Sequence, residues 1–240
     1  MTERISPQPY ARICGALYLY IIVAGIFAEV FVRSRLIVPA DAAATATNII
    51  ANEQLFRLGF SGELLHLAFD VAVAALLYAL LRPVNRTVAL PAAFMRLVSD
   101  IILAVVSVSH FATLRLLADT EYLKTFQPEQ LQALALLALK LHGDGYNICL
   151  FFFGFACLAL GYLIFRSTFL PRVLGVLLAI SGLGFVARAF ASVLAPAYAS
   201  PFLLIPTAVA WLLLTLWLLV RGVDDPKWQK SAALANHRSP

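Results

Sequence analysis

The feature that most constrains this chain is the run Phe60–Leu81. It is apolar and long enough to cross a bilayer, yet it carries Glu63, His66 and Asp70. At 3.6 residues per turn these three fall within roughly a 60° arc of one helix face. An ionisable group in the bilayer centre costs about 2.5 kcal/mol or more and by default marks a functional site. A stripe of three must therefore face protein or water, not lipid.

Runs of similar length recur at 13–32, 91–114, 146–165, 173–194 and 202–220. About 20 apolar residues at 1.5 Å per residue match a hydrocarbon core of roughly 30 Å. Composition agrees, with 62% hydrophobic and 13% charged residues, against about 25% charged in soluble domains. The chain thus reads as an all-α polytopic membrane bundle of six spans. Outer loops are expected at 33–59 and 115–145, with tails at 1–12 and 221–240. The start of the chain lacks the small-residue cleavage site of a signal peptide, so the first run is expected to stay in the membrane.

The net charge of +5 comes without a dense basic patch, so the expected partner is the lipid bilayer and not nucleic acid. The basic residues serve better as topology signals. With six spans, Arg4, Arg12, Arg82, Arg86, Arg166, Arg172, Arg221, Lys227, Lys230 and Arg238 share one side. Arg33, Arg35, Arg57, Lys124 and Lys140 lie on the other, mostly in its longer loops. This bias places both termini in the cytoplasm, and the expected location is the inner (plasma) membrane.

Several local signals are legible. Glu29 precedes Arg33 by four residues, an order that favours an ion pair. Asp41 is the expected N-cap of a short surface helix at 42–52. Thr125 or Gln127, ahead of Pro128, marks another helix start. The run 131–141 is too short to span alone, so it either lies outside the bilayer or extends span four. Gly143 and Gly145 permit a kink or break there. Tyr10, Tyr18 and Tyr20 suit an interfacial aromatic belt. Cys14, Cys149 and Cys157 have no metal-finger spacing and read as reduced packing residues. Gly154, Gly161, Gly175, Gly182 and Gly184 suggest close helix packing, and the tail past Arg221 reads as disordered by its end.

Counted from the cytoplasmic ends of spans two and three, Asp70 lies about 16 Å deep, Asp100 about 15 Å and Arg96 about 9 Å. The short loop between these spans makes them antiparallel neighbours, so the three can meet near the midplane. They form either an ion pair that locks the two spans together or a binding site for a proton or substrate. One arginine between two aspartates leaves a negative charge or a shared proton. Glu63 and His66 would lead out of that site. A second set lies nearer the outer face: Glu63, His66, His110 and His142, with Asp144, Glu29 and Arg188 in reach. Imidazoles with a carboxylate are sufficient ligands for zinc or a similar ion, although no HExxH spacing fixes two of them on one helix; the alternative is hydrogen-bonded polar packing, with Arg188 as a counter-charge. There is no Gly-rich phosphate loop, nucleophile elbow or haem-attachment motif.

Several phrases also point to a family. They are Arg12-Ile-Cys-Gly-Ala-Leu-Tyr-Leu, Phe31-Val-Arg-Ser-Arg-Leu-Ile-Val-Pro, Leu80-Leu-Arg-Pro-Val-Asn-Arg, Gly145-Tyr-Asn-Ile and Gly161-Tyr-Leu-Ile-Phe-Arg-Ser-Thr-Phe-Leu-Pro-Arg-Val-Leu-Gly. Over roughly residues 10–220 the chain resembles the bacterial membrane family called domain of unknown function 4386. The resemblance implies a multi-span bacterial membrane protein and carries no activity or catalytic residues with it.

The leading functional expectation is a non-enzymatic protein that binds or translocates a small solute or proton at Asp70, Arg96 and Asp100. One alternative is a metal-dependent intramembrane hydrolase acting on a lipid or other amphiphile, with His66, His110 and His142 as ligands and Glu63 as base. Another is a scaffold or sensor for a protein partner. No cofactor is expected beyond a divalent metal in the hydrolase case.

Overall fold

A computed structural model describes residues 6–195 and 205–236. Among these residues the regular structure is entirely helical. In chain order the helices are α1 (Pro7–Leu36), α2 (Ala42–Ala51), α3 (Glu53–Leu81), α4 (Arg86–Leu116), α5 (Pro128–Arg166), α6 (Arg172–Leu194), α7 (Ile205–Val220) and α8 (Asp225–Asn236). Five of them, α1 and α3–α6, are long and apolar enough to cross a membrane. A sixth span is reached if α7 and α8 are taken together, across a 98° bend. The protein is a helical membrane bundle.

The helices overrun the expected spans because polar caps, not apolar edges, set their ends. α2 starts where expected: the Asp41 carboxylate accepts the Ala44 N–H at 2.8 Å, which satisfies one of the first-turn donors. α4 begins at Arg86, five residues ahead of Pro91, because Asn85 Oδ1 accepts from Val88 N at 3.2 Å. α5 begins at Pro128 with Gln127 before it, and the Gln127 N–H donates to Gln130 Oε1 at 2.9 Å. Pro in the first turn gives up only an N–H that would be unpaired there.

The open alternative for residues 128–145 is resolved. They extend the fourth span as one helix of 39 residues, about 58 Å long and far beyond a hydrocarbon core of roughly 30 Å. The expected break at Gly143–Gly145 does not occur. Gly145 is instead where Val106 packs: a Cβ there would lie 2.2 Å from Val106 Cγ1. The first span carries an irregularity that composition does not signal, a π-helical stretch over Phe27–Arg33.

The chain divides into two compact units. The first gathers the described residues up to Tyr20, with Phe69–Asp100 and the residues from Asn147 onward; the second comprises Ile21–Ala68 and Ile101–Tyr146. In the first unit α5 and α6 meet through glycines. A Cβ on Gly161 would lie 2.7 Å from the Gly175 carbonyl oxygen, and one on Gly182 would lie 2.6 Å from that of Gly154. Only residues without a side chain allow two backbones to approach so closely. The three cysteines are buried and free, as packing residues would be.

The tail is more ordered than expected as far as Asn236; the expectation of disorder at its very end lies outside the described residues, as does the start of span six at 202–204. α7 ends at Val220, and Gly222 just beyond it has a φ of +67°, which suits the left-handed position that closes a helix. Its N–H donates to Trp217 O at 2.9 Å. The chain turns, and α8 is held by Trp228 Nε1 donating to Leu80 O at 2.8 Å and by Gln8 Nε2 donating to Val223 O at 2.6 Å.

In the second unit Val32, Leu36, Ile49, Phe56, Leu114 and Leu139 form a buried apolar core. The expected Glu29–Arg33 pair is present at 3.3 Å.

Candidate functional site

Each unit holds one group of buried ionisable residues. In the first, Arg96 on α4 is the largest fully buried side chain, 1% exposed. Its guanidinium faces Asp70 of α3 as a fork: Nε donates to Asp70 Oδ2 at 2.9 Å and Nη2 donates to Oδ1. Planar bidentate pairing of this kind is the strong form of an arginine–carboxylate contact. Nη1 donates to the Tyr18 hydroxyl at 2.7 Å.

Aromatic rings complete the enclosure. The guanidinium carbon lies 5.0 Å from the Tyr18 ring centre, 5.0 Å from that of Phe153 and 5.7 Å from that of Trp211. Each ring face offers its negative quadrupole to the cation. Tyr18 is therefore no interfacial anchor: it is buried at the arginine, while Tyr10 and Tyr20 are half-buried. Position in a span cannot separate these roles, because a tyrosine one or two turns inside the first run suits either. Trp211 and Phe153 carry no sequence signal for a cation; only the packing of α5 and α7 around Arg96 brings them in.

Asp100 lies one turn beyond Arg96 on α4 and is 7% exposed. Its Oδ2 is buried without a hydrogen-bond partner. Two buried carboxylates beside a single arginine would leave one negative charge uncompensated, a costly state away from water. With one arginine beside them, a single shared proton makes the group neutral.

The second unit assembles Glu63 of α3, His110 of α4 and His142 of α5. His142 Nε2 is 3.1 Å from Glu63 Oε1 and His110 Nδ1 is 3.5 Å from Oε2. The Ser107 hydroxyl also hydrogen-bonds Oε1. The His110 ring is held by edge contacts to Phe56 and Phe60, with centres 4.7 and 5.7 Å away. Arg33 reaches His142 Nδ1 at 3.4 Å. Arginine only donates, so Nδ1 accepts and the neutral ring carries its proton on Nε2, toward Glu63.

Of the residues singled out from the sequence, Asp70, Arg96 and Asp100 come together in the first unit. Glu63, His110 and His142 come together in the second. His66, half-buried on α3, is not among the three residues whose donor atoms cluster. Asp144 is exposed, Glu29 pairs with Arg33, and Arg188 donates to Asn147 Oδ1 at 3.4 Å. Ser107 and Arg33 complete the cluster; the spacing that pairs Arg33 with Glu29 does not mark it as a partner of His142, and none marks Ser107.

Long apolar helices with ionisable side chains buried among them define a polytopic helical membrane protein. Within that class a family model, domain of unknown function (DUF4386), matches residues 13–222, and the chain belongs to this family. Neither a curated protein nor a solved structure matches it.

Proposed function

We propose that this protein binds a proton at the Asp70–Asp100 pair beside Arg96 and uses that site to bind or translocate a proton or a small solute. The observation that carries the reading is Asp100 Oδ2, buried in the protein and without a partner, while the arginine fork is directed at Asp70. An ion pair serving only to lock helices needs one carboxylate. The second aspartate adds desolvation cost with no matching cation, which suits a group that gains and loses a proton. Cys14, Cys157 and Tyr18 are the other titratable groups near Arg96. We further place the protein in the bacterial inner membrane with both termini cytoplasmic, on the excess of Lys and Arg in that set of segments.

The test uses full-length protein in sealed vesicles that contain a pH-sensitive dye. After an acid step outside, wild-type vesicles are expected to acidify faster than vesicles carrying Asp100→Asn. Equal rates would refute proton movement through this site.

A further inference from the structure

We propose that Glu63, His110 and His142 form a binding site for a divalent transition-metal ion of the zinc type. The site lies wholly in the second unit, so the inference stands independently of the Asp70–Asp100 reading.

The spacing is the first argument. One donor atom from each residue can be chosen so that all three lie within 4.8 Å of one another. The nearest glutamate–histidine approaches are 3.1 Å, from His142 Nε2 to Oε1, and 3.5 Å, from His110 Nδ1 to Oε2. Zinc–nitrogen bonds of about 2.0–2.1 Å in a tetrahedron put neighbouring donors roughly 3.3 Å apart. Each histidine thus already sits near coordination spacing from one carboxylate oxygen, and no edge of the triangle has to close by more than about 1.5 Å.

The second argument is an unmet need. The His110 side chain is 5% exposed, and its Nδ1 makes no hydrogen bond, with Glu63 Oε2 3.5 Å away. A buried imidazole nitrogen in that position is costly to leave unpaired, and a cation at the centre of the triangle would satisfy it. The surroundings also match a ligating shell. Ser107 orients the carboxylate, as outer-layer hydrogen bonds do at metal sites, and two phenylalanines fix the His110 ring.

The donor set selects the ion. Two imidazoles and one carboxylate suit zinc and its borderline neighbours; no thiolate is present for copper(I), and the oxygens are too few for calcium. Three protein ligands leave the fourth position of a tetrahedron for water or another ligand.

Arg33 works against this ion. Its hydrogen bond to His142 Nδ1 keeps the ring proton on Nε2, the nitrogen that has to ligate. Metal binding moves the remaining ring proton to Nδ1, so Arg33 must withdraw toward Glu29, to which it is already paired at 3.3 Å. Arg33 ends the π-helical stretch of α1, a helix form that is rare and frequently found at functional sites.

The experiment titrates cobalt(II), then zinc(II), into the untagged full-length protein in detergent after chelator treatment. The wild type is expected to bind one ion per chain, with the visible absorption of tetrahedral cobalt that zinc abolishes. Glu63→Gln, His110→Ala and His142→Ala should each weaken binding by more than about 100-fold, since even outer-layer losses cost 10–100-fold. His66→Ala should bind like the wild type. Two variants keep all three ligands and so do not depend on whether a ligand variant folds. Ser107→Ala should weaken binding by about tenfold, and Arg33→Leu should strengthen it by a similar factor. Absence of saturable cobalt binding in folded wild type would overturn the proposal, as would binding that survives loss of the ligands or falls with Arg33→Leu.

Discussion

Removing Arg96 and removing Asp70 should not cost the same. The two residues form one bidentate pair, so a simple lock would make the losses comparable. Asp100 breaks that symmetry. Arg96→Met leaves two buried carboxyls without a cation, and breaking a buried pair from one side costs about 3–5 kcal/mol. Asp70→Asn leaves the arginine with Asp100 as an alternative counter-charge, so the loss is mainly hydrogen-bond quality, roughly 1.5–3 kcal/mol. If the shared proton rests on Asp100, as proposed, Asp100→Asn alone replaces a neutral acid by an amide of similar shape and should cost about 1 kcal/mol or less. In the Asp70→Asn/Asp100→Asn double variant no carboxylate remains, and the cost should return to about 3–5 kcal/mol. The two aspartates should therefore be coupled by about 1–2 kcal/mol. Reversible unfolding in mixed micelles with rising dodecyl sulfate fraction, followed by tryptophan fluorescence, measures all four. Additive aspartate losses, with Asp70→Asn as costly as Arg96→Met, would refute the charge count.

Other outcomes follow from the same packing. Tyr18→Phe keeps the ring over Arg96 but removes the hydroxyl that accepts from Nη1; it should cost about 1.5–3 kcal/mol in the same unfolding assay. Gly175→Ala puts a Cβ 2.6 Å from the Gly161 carbonyl oxygen and 2.6 Å from Phe165 N. Neither backbone can yield easily, so a loss of about 1–3 kcal/mol is expected, and a neutral result would mean that α5 and α6 do not meet at these glycines. Asp224, at the start of α8, is held below the usual carboxylate range by its bond to Lys227. A depressed value contributes stability above the ordinary pKa, near 3.9, and that stability is lost as pH falls through the folded value. Amide protection factors in α8, corrected for intrinsic exchange, should fall on acidification past that point in the wild type, and Asp224→Asn should abolish this dependence.

Much of this arrangement was legible before any coordinates. Rise per residue alone put Asp70 and Asp100 at similar depths, and the short loop between their spans made contact natural. Asp41 declared its helix start through cap chemistry, Pro128 marked another with Thr125 or Gln127 as the residue before it, and Gly161 and Gly175 signalled close helix packing. Rotation about helix axes was not legible. His66 lies three residues after Glu63 on the same helix face, yet the clustered donors come from His110 and His142, because the azimuths of α4 and α5 decide which imidazoles turn inward. The same limit hid Trp211 and Phe153 as partners of Arg96. Gly145 misled for a different reason: a glycine in a long helix signals a break and a seat for a neighbour equally well, and the latter needs Val106 from another helix to be known.

The most direct test of the central claim looks for the shared proton itself. Infrared spectroscopy of the purified protein at neutral pH, with hydrogen–deuterium exchange to assign the band, reads the carbonyl stretch of a protonated carboxylic acid. The account predicts such a band in the wild type, its loss in Asp100→Asn and its retention in Glu29→Gln. Its absence from the wild type, or its survival in Asp100→Asn, would contradict a proton held between Asp70 and Asp100.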